Sequence, residues 1–127
     1  MLSTATPIPA LAVKDLAAAR EFYENVLGFT PGNDTIGGVL YKAGTGQFLV
    51  YPSAYAGTNQ ATAMSFEVTA DAFDREIAAL REKGLEFQTF ELEGAQWQDG
   101  VATMGDTKSV WFADPDGNIL NVETGLG

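Results

Sequence analysis

Residues 13–29 read VKDLAAAREFYENVLGF, the end of a strand followed by one amphipathic helix. Asp15 is expected to cap this helix, because its carboxylate can accept hydrogen bonds from the first free backbone amides. Gly28 is expected to end it, because glycine adopts the left-handed conformation at low cost. The apolar residues that recur at helical spacing between them are Leu16, Ala19, Phe22, Tyr23, Val26 and Leu27.

Short apolar runs on both sides of this helix predict strands. Residues 8–13 (IPALAV) precede the helix and are typical of a buried strand. Residues 29–38 carry a proline and several glycines and are predicted to be irregular. Val39–Lys42 and Gln47–Tyr51 are predicted to form a hairpin, because the segment between them is short and rich in glycine.

The second half of the chain repeats this alternation of elements. A loop is predicted at 53–61, and a second helix is predicted to begin at Asp71 and end at Gly84. The motif DPDGN at 114–118 predicts a turn, because its residues are typical of turns. Its aspartates lack the spacing of an EF-hand calcium-binding loop. The predicted strands are Thr62–Val68, Leu85–Leu92, Val101–Met104, Lys108–Ala113 and Ile119–Glu123.

A weak internal repeat relates the two halves. When the first half of the sequence is shifted along the chain onto the second half, Val13 falls on Val68. A larger shift places Val39 on Val110 and aligns the strands of the two hairpins. The pattern predicts an α+β fold of two βαβββ modules, at about residues 1–55 and 60–127. We expect both modules to lie in a single domain, residues 1–127.

Composition excludes several chemistries. The chain has 127 residues, 7 Lys+Arg, 17 Asp+Glu and a formal net charge of −10. This acidity argues against nucleic acids and anionic membranes as partners, since both attract basic surfaces. The absence of Cys and His excludes disulfides, thiolate nucleophiles, Ser–His triads and the usual zinc sites. No stretch is typical of a signal peptide or a membrane span, so we expect a cytoplasmic protein.

The segments 13–29 and 111–123 (WFADPDGNILNVE), with the two modules, resemble the vicinal oxygen chelate superfamily. This superfamily includes glyoxalase I, extradiol dioxygenases and the fosfomycin- and bleomycin-resistance proteins. The resemblance implies that the two modules form an open, curved mixed sheet around a cavity. It also implies a homodimer, because two-module chains of this kind commonly pair.

Metal-dependent members of the superfamily place ligands on the first and last strand of each module. The resemblance maps these positions to Ile8, Val50, Ala63 and Asn121. Three of these side chains cannot bind a cation, and a single carboxamide cannot hold a hard metal alone. We therefore expect no metal and no cofactor, and we expect these four residues to contact an organic ligand.

Two groups of side chains are candidates for chemistry in the expected cavity. Glu67 and Glu123 face it by strand alternation and could exchange protons, or hold a displaced cation together with water or Asp99. Otherwise they are carboxylates at strand ends that are solvated or paired with an Arg or Lys. Trp97 is the preferred ligand contact, because it is predicted in a polar loop where no core packing explains it. Its replacement is therefore expected to leave stability nearly unchanged. The other predicted ligand contacts are Ser65, Phe48 and Tyr51.

Three functions remain open. The first is a metal-free protein that binds a small apolar or aromatic molecule, as bleomycin-resistance proteins do. The second is a glyoxalase- or dioxygenase-like lyase, isomerase or oxidoreductase that uses displaced oxygen ligands or carboxylates alone. The third is an interaction module without a ligand. A stoichiometric metal that survives dialysis would favour the enzyme.

Overall fold

The computed structural model describes residues 1–35 and 37–125, and of residues 33–35 it describes only the backbone. The chain divides into two compact units, Met1–Thr58 and Asn59–Gly127. The division falls inside the segment 53–61 that is predicted to join the modules.

The first unit contains a four-stranded sheet, a short 3₁₀ helix and an α-helix that continues as a π-helix. The strand order is β1-β4-β3-β2; β1 is parallel to β4, and the other neighbours are antiparallel. Its elements in chain order are a 3₁₀ helix (Leu2–Thr4), β1 (Ala10–Val13), α1 (Leu16–Arg20), a π-helix (Glu21–Val26), β2 (Pro31–Thr35), β3 (Gly38–Ala43) and β4 (Gly46–Pro52).

The second unit repeats this order with one additional strand. Its sheet has the order β5-β9-β8-β7-β6, and β5 is parallel to β9. The predicted βαβββ repeat is therefore confirmed, with β6 as an added edge strand. The elements are β5 (Thr62–Glu67), α2 (Ala70–Glu82), β6 (Gln96–Gln98), β7 (Val101–Met104), β8 (Thr107–Ala113) and β9 (Ile119–Glu123).

Strand β2 corrects the prediction that residues 29–38 are irregular. Pro31 pairs with Tyr41, and Thr35 pairs with Gly38, with an irregular register between these pairs. An edge strand that contains a bulge tolerates proline and glycine, so it lacks the alternating apolar pattern that signals a strand.

The first helix begins as predicted but does not continue as one α-helix. Asp15 Oδ1 accepts hydrogen bonds from the amides of Ala17 (2.9 Å) and Ala18 (3.3 Å), so the predicted cap is confirmed. After Arg20 the backbone widens into the π-helix, in which the amide of Leu27 donates to the carbonyl of Phe22. The second helix also differs at its start, because Thr69 rather than Asp71 provides the cap.

The prediction of a strand at Leu85–Leu92 is wrong, and the prediction that Trp97 lies in a loop is also wrong. Residues 85–92 form no regular strand, although the amide of Gln88 donates to the carbonyl of Trp111 (2.8 Å). The outer strand is β6 instead, in which Trp97 pairs with Ala102 of β7. β6 is only 3 residues long, too short for a strand pattern to be recognised in sequence.

The DPDGN turn is confirmed, and its hydrogen bonds explain its composition. Asp114 is 5% exposed, and its Oδ1 accepts from the amides of Asp116 (2.9 Å) and Asn118 (2.8 Å). Its Oδ2 accepts from Asn118 Nδ2 at 2.8 Å. The carboxylate therefore satisfies donors of its own turn, as aspartate commonly does in turns.

Each unit has its core between the helix and one face of its sheet. In the first unit, the ring of Tyr23 in the π-helix lies 5.8 Å from Tyr41 and 5.7 Å from Phe48. In the second unit, Lys108 of β8 lies over the ring of Phe73 in α2 and forms an ion pair of 3.5 Å with Asp74. The buried residues on the same face as Lys108 are Val110, Phe112, Leu120 and Val122.

Candidate ligand-binding site

The face of the second sheet opposite α2 carries about half of the predicted site residues. Direct cross-strand neighbours point to the same face of a sheet. The register therefore places two rows of side chains on this face. One row is Glu67, Glu123, Ser109, Ala102 and Trp97; the other is Ser65, Asn121 and Trp111.

Three aromatic side chains form a cluster at one side of this face, which we call the aromatic trio: Phe90, Trp97 and Trp111. Phe90 meets Trp111 edge to face at 4.9 Å and Trp97 edge to face at 5.4 Å. The two tryptophan rings are 6.0 Å apart. Edge-to-face contacts satisfy the ring quadrupoles, so the trio is a preorganised aromatic surface.

The trio is held by backbone as well as by ring contacts. Trp111 lies in the central strand β8 and Trp97 lies in β6. The hydrogen bond from Gln88 to the carbonyl of Trp111 fixes the segment that carries Phe90. The sequence analysis does not single out Phe90, which falls inside the wrongly predicted strand Leu85–Leu92.

An open depression of about 790 Å³ lies beside the trio. It is open to solvent over most of its extent, so a ligand there would lie against the aromatic surface and would not be enclosed. Phe90, which is 43% exposed, and half-buried Trp97 both line it. The other lining residues are Thr89, Glu91, Leu92, Glu93 and Ala95.

The predicted acid pair is brought together by the sheet. Glu67 and Glu123 are direct neighbours on β5 and β9, where adjacent strands lie about 4.8 Å apart. Ser109 Oγ donates to Glu123 Oε2 at 2.9 Å. Glu67 is exposed and Glu123 is half-buried, so the pair lies at the surface end of its row.

The remaining predicted contacts of the second unit differ in accessibility. Asn121 is 1% exposed, and its Nδ2 donates to the carbonyl of Val110 at 3.1 Å. The side-chain NH₂ group of Asn121 therefore donates a hydrogen bond to the sheet backbone. Ala63 is half-buried and Ser65 is exposed.

In the first unit the structure places Phe48 and Val50 in the core. Phe48 packs against Tyr23, and Val50, two residues along the same strand, is fully buried on the same face. This placement corrects the expectation that either side chain lines a cavity. Tyr51 is half-buried on the opposite face of β4, and Ile8 is 48% exposed and precedes β1.

The misplacement of Val50 has a simple cause. In the first hairpin Val39 pairs with Val50, and in the second hairpin its counterpart Val110 pairs with Val122. The second hairpin therefore has one more residue between its paired valines than the first. The offset that relates the two modules therefore increases by one beyond the hairpin turn. With this one-residue correction, the counterpart of Asn121 is Leu49 and not Val50. The correction also moves the position to the other face of the strand, because successive side chains of a strand point to opposite faces.

The residues at the metal-ligand positions do not fit a metal ion. With the corrected register these positions hold Ile8, Leu49, Ala63 and Asn121, a set without a carboxylate or imidazole. Among the described residues, no group of three His, Cys, Asp or Glu side chains could hold a metal.

A second polar network, missed in the sequence, lies in the first unit. Glu24 Oε2 accepts from Arg20 Nε at 2.8 Å and from the hydroxyl of buried Tyr41 at 2.9 Å. The hydrogen bond from Arg20 lowers the pKa of Glu24, against the opposing effect of burial, and the Tyr41 contact lowers this pKa further. Burial, followed by the contact with Glu24, raises the pKa of Tyr41 well above its usual range. The helical i,i+4 spacing of Arg20 and Glu24 was the available signal.

The two βαβββ units, each with a helix on one face of its sheet, define a paired-module α+β class of protein. A family model, the Glyoxalase/Bleomycin resistance protein/Dioxygenase superfamily, matches residues 7–122. The chain belongs to this superfamily. No curated protein matches the chain.

Solved structures support the same fold. A glyoxalase/bleomycin resistance protein/dioxygenase from Alicyclobacillus acidocaldarius superposes with a TM-score of 0.73 at 14% identity, covering 98% of this chain and 93% of that one. The fosfomycin resistance protein FosX from Mesorhizobium loti gives 0.68 at 15% identity, covering 96% and 92%. Lactoylglutathione lyase from Agrobacterium tumefaciens gives 0.68 at 21% identity, covering 98% and 96%. At these identities the likeness concerns the fold. No helix in the described part of the chain is long and apolar enough to cross a membrane.

Proposed function

We propose that this chain is a metal-free binding protein for a small organic molecule with an apolar or aromatic body. The aromatic trio beside the open depression is the observation that carries the proposal. Phe90 and Trp97 expose ring surface to the depression, while their edge-to-face contacts hold both rings in place. Ring surface fixed in this way gains binding energy without a large loss of side-chain entropy.

The side chains at the metal-ligand positions support the metal-free part of the proposal. These positions provide one carboxamide and three hydrocarbon side chains, which cannot hold a cation. Without a cation, the carbonyl or hydroxyl group of a substrate cannot be polarised by a metal there. Binding then depends on shape and apolar contact. A glyoxalase/bleomycin resistance protein/dioxygenase and a fosfomycin resistance protein are similar to this chain in fold.

A carboxylate-based enzyme is the second candidate. Glu67 and Glu123 are adjacent on one face, and Ser109 donates to Glu123. Two carboxylates with a nearby hydroxyl could move a proton on a bound substrate. Loss of turnover in Glu123→Gln with binding retained would favour this candidate over a binding protein.

The proposal is tested with tryptophol, a neutral indole alcohol, titrated into ¹⁵N-labelled protein. We expect the indole N–H signal of Trp97 to shift on binding. In Trp97→Ala, where this signal is lost and calorimetry measures the affinity, binding should weaken about fivefold, which corresponds to roughly 1 kcal/mol of lost ring contact. Tyr55→Ala is the matched control, because Tyr55 is 81% exposed and belongs to the first unit.

Stability must be measured beside affinity. Trp97 lies in β6 and packs on two rings, so we expect Trp97→Ala to lower the free energy of unfolding by about 1–2 kcal/mol, contrary to the expectation from sequence. Phe90→Leu, at a more exposed position, provides a second variant that keeps the fold. Tryptophol binding that is equal in all three variants, or absent, would contradict the proposal. A divalent cation that stays bound after dialysis would contradict the metal-free part.

The expectations of a homodimer and of a cytoplasmic location stay proposals. Sedimentation equilibrium tests the first, and fractionation of cells that express the chain tests the second.

A further inference from the structure

We infer that the organic ligand of the depression carries a positive charge, as a protonated amine or a quaternary ammonium attached to its aromatic body. The inference rests on the proposed binding function and adds the chemical class of the ligand. Two carboxylates, Glu91 and Glu93, line the depression together with Phe90 and Trp97. The described residues that line it include no lysine or arginine.

The aromatic side chains and the acids favour the same ligand. The negative face of an indole or phenyl ring attracts a cation within about 6 Å of its centroid. Glu91 and Glu93 lie on the segment of Phe90, and they add direct attraction for the same charge. Neither interaction helps a neutral ligand, and both oppose an anion.

The charge of the whole chain acts in the same direction. A net charge of −10 raises the local concentration of cations around the protein and lowers that of anions. This long-range effect is screened by salt, whereas a contact inside the depression is screened less. The two contributions are therefore separable by experiment.

Three probes that share one indole ring test the inference: tryptamine, which is cationic, tryptophol, which is neutral, and indole-3-acetate, which is anionic. Dissociation constants are measured by calorimetry and by the shift of the Trp97 indole N–H signal. We expect tryptamine to bind about tenfold more tightly than tryptophol, the ratio that corresponds to about 1.4 kcal/mol for one cation–π contact plus one exposed ion pair. Indole-3-acetate is expected to bind more weakly than tryptophol.

Matched double variants assign the preference to the depression. Glu91→Gln/Glu93→Gln should reduce the ratio between tryptamine and tryptophol to about threefold or less. Glu76→Gln/Glu82→Gln removes the same charge from exposed positions of α2, on the other side of the sheet, and should leave the ratio nearly unchanged. An equal fall in both double variants would overturn the assignment, because the preference would then come from overall charge alone.

The outcomes separate this inference from the proposed function. Tight tryptophol binding without a preference for tryptamine overturns the inference and leaves the binding function in place. A preference for tryptamine that stays near tenfold in Glu91→Gln/Glu93→Gln also overturns the inference. Failure of all three probes to shift Trp97 contradicts the binding function and the inference together.

Discussion

Asp114 and Glu123 are acidic residues at the two ends of one short segment of sequence, but their carboxylates have different roles. Both oxygens of Asp114 accept hydrogen bonds from its own turn, and the residue is nearly fully buried. Glu123 accepts from Ser109 and is only half-buried. Residue type alone therefore does not identify the carboxylate that is available to a ligand; hydrogen-bond partners and burial do.

We expect Asp114→Ala to lower the free energy of unfolding by about 3 kcal/mol. The substitution leaves the amide and the side-chain N–H of buried Asn118 without their acceptor, and an unsatisfied buried donor is costly. Urea unfolding measures the change. Asp106→Ala, at an exposed turn position, should change stability by less than about 0.5 kcal/mol. Equal effects of the two variants would show that the turn hydrogen bonds contribute little.

Elements with a strong local signal could be predicted, whereas the edge strands β2 and β6 could not. The cap at Asp15 and the DPDGN turn are stabilised by hydrogen bonds between near neighbours in sequence, so the sequence contains the whole cause. β2 and β6 are edge strands that exist because a longer strand pairs with them. Their own residues show no alternation that would indicate this.

The candidate site was predictable in part for the same reason. Strand alternation placed Glu67 and Glu123 on one face, as the structure does, because the bounds predicted for both strands lie within one residue of the observed ones. Val50 was misplaced because the two hairpins differ by one residue, a difference too small to see without paired strands. The trio required the segment of Phe90 to meet β8, a contact that its sequence does not encode locally.

The start of β3 is a position where element packing requires glycine. A Cβ at Gly38 would clash with the carbonyl oxygen of Val50 and would lie 3.0 Å from Cα of Tyr51. We therefore expect Gly38→Ala to lower the free energy of unfolding by about 2 kcal/mol, since β4 must move to relieve the overlap. Gly37→Ala is the matched control, because a Cβ there has no neighbour within 4 Å. Thermal unfolding of both variants decides the point, and an equal change would refute the close approach.

For the whole molecule, the lack of histidine shapes the response to pH. No side chain of the chain has an ordinary pKa between about 5 and 8, so stability is expected to vary little in that range. The network of Arg20, Glu24 and Tyr41 determines part of the pH dependence of stability below and above this range. On the acid side, the folded pKa of Glu24 lies below its ordinary value of 4.5. Glu24 therefore contributes stability above that pH, and this contribution is lost as the pH falls through the folded pKa.

On the alkaline side the sign reverses, because the folded pKa of Tyr41 lies above its ordinary value of 10.0. Its contribution is complete below pH 10.0 and is lost as the pH rises further, since the unfolded chain then releases the phenolic proton first. Tyr41→Phe removes the hydrogen bond to Glu24 and should cost about 1 kcal/mol at neutral pH. Between neutral pH and about pH 11, however, the variant should lose less stability than the natural chain does. Tyr55→Phe, which changes an exposed hydroxyl, should follow the natural chain throughout. Urea unfolding across this range measures all three curves, and parallel losses in all of them would show that Tyr41 titrates normally in the folded state.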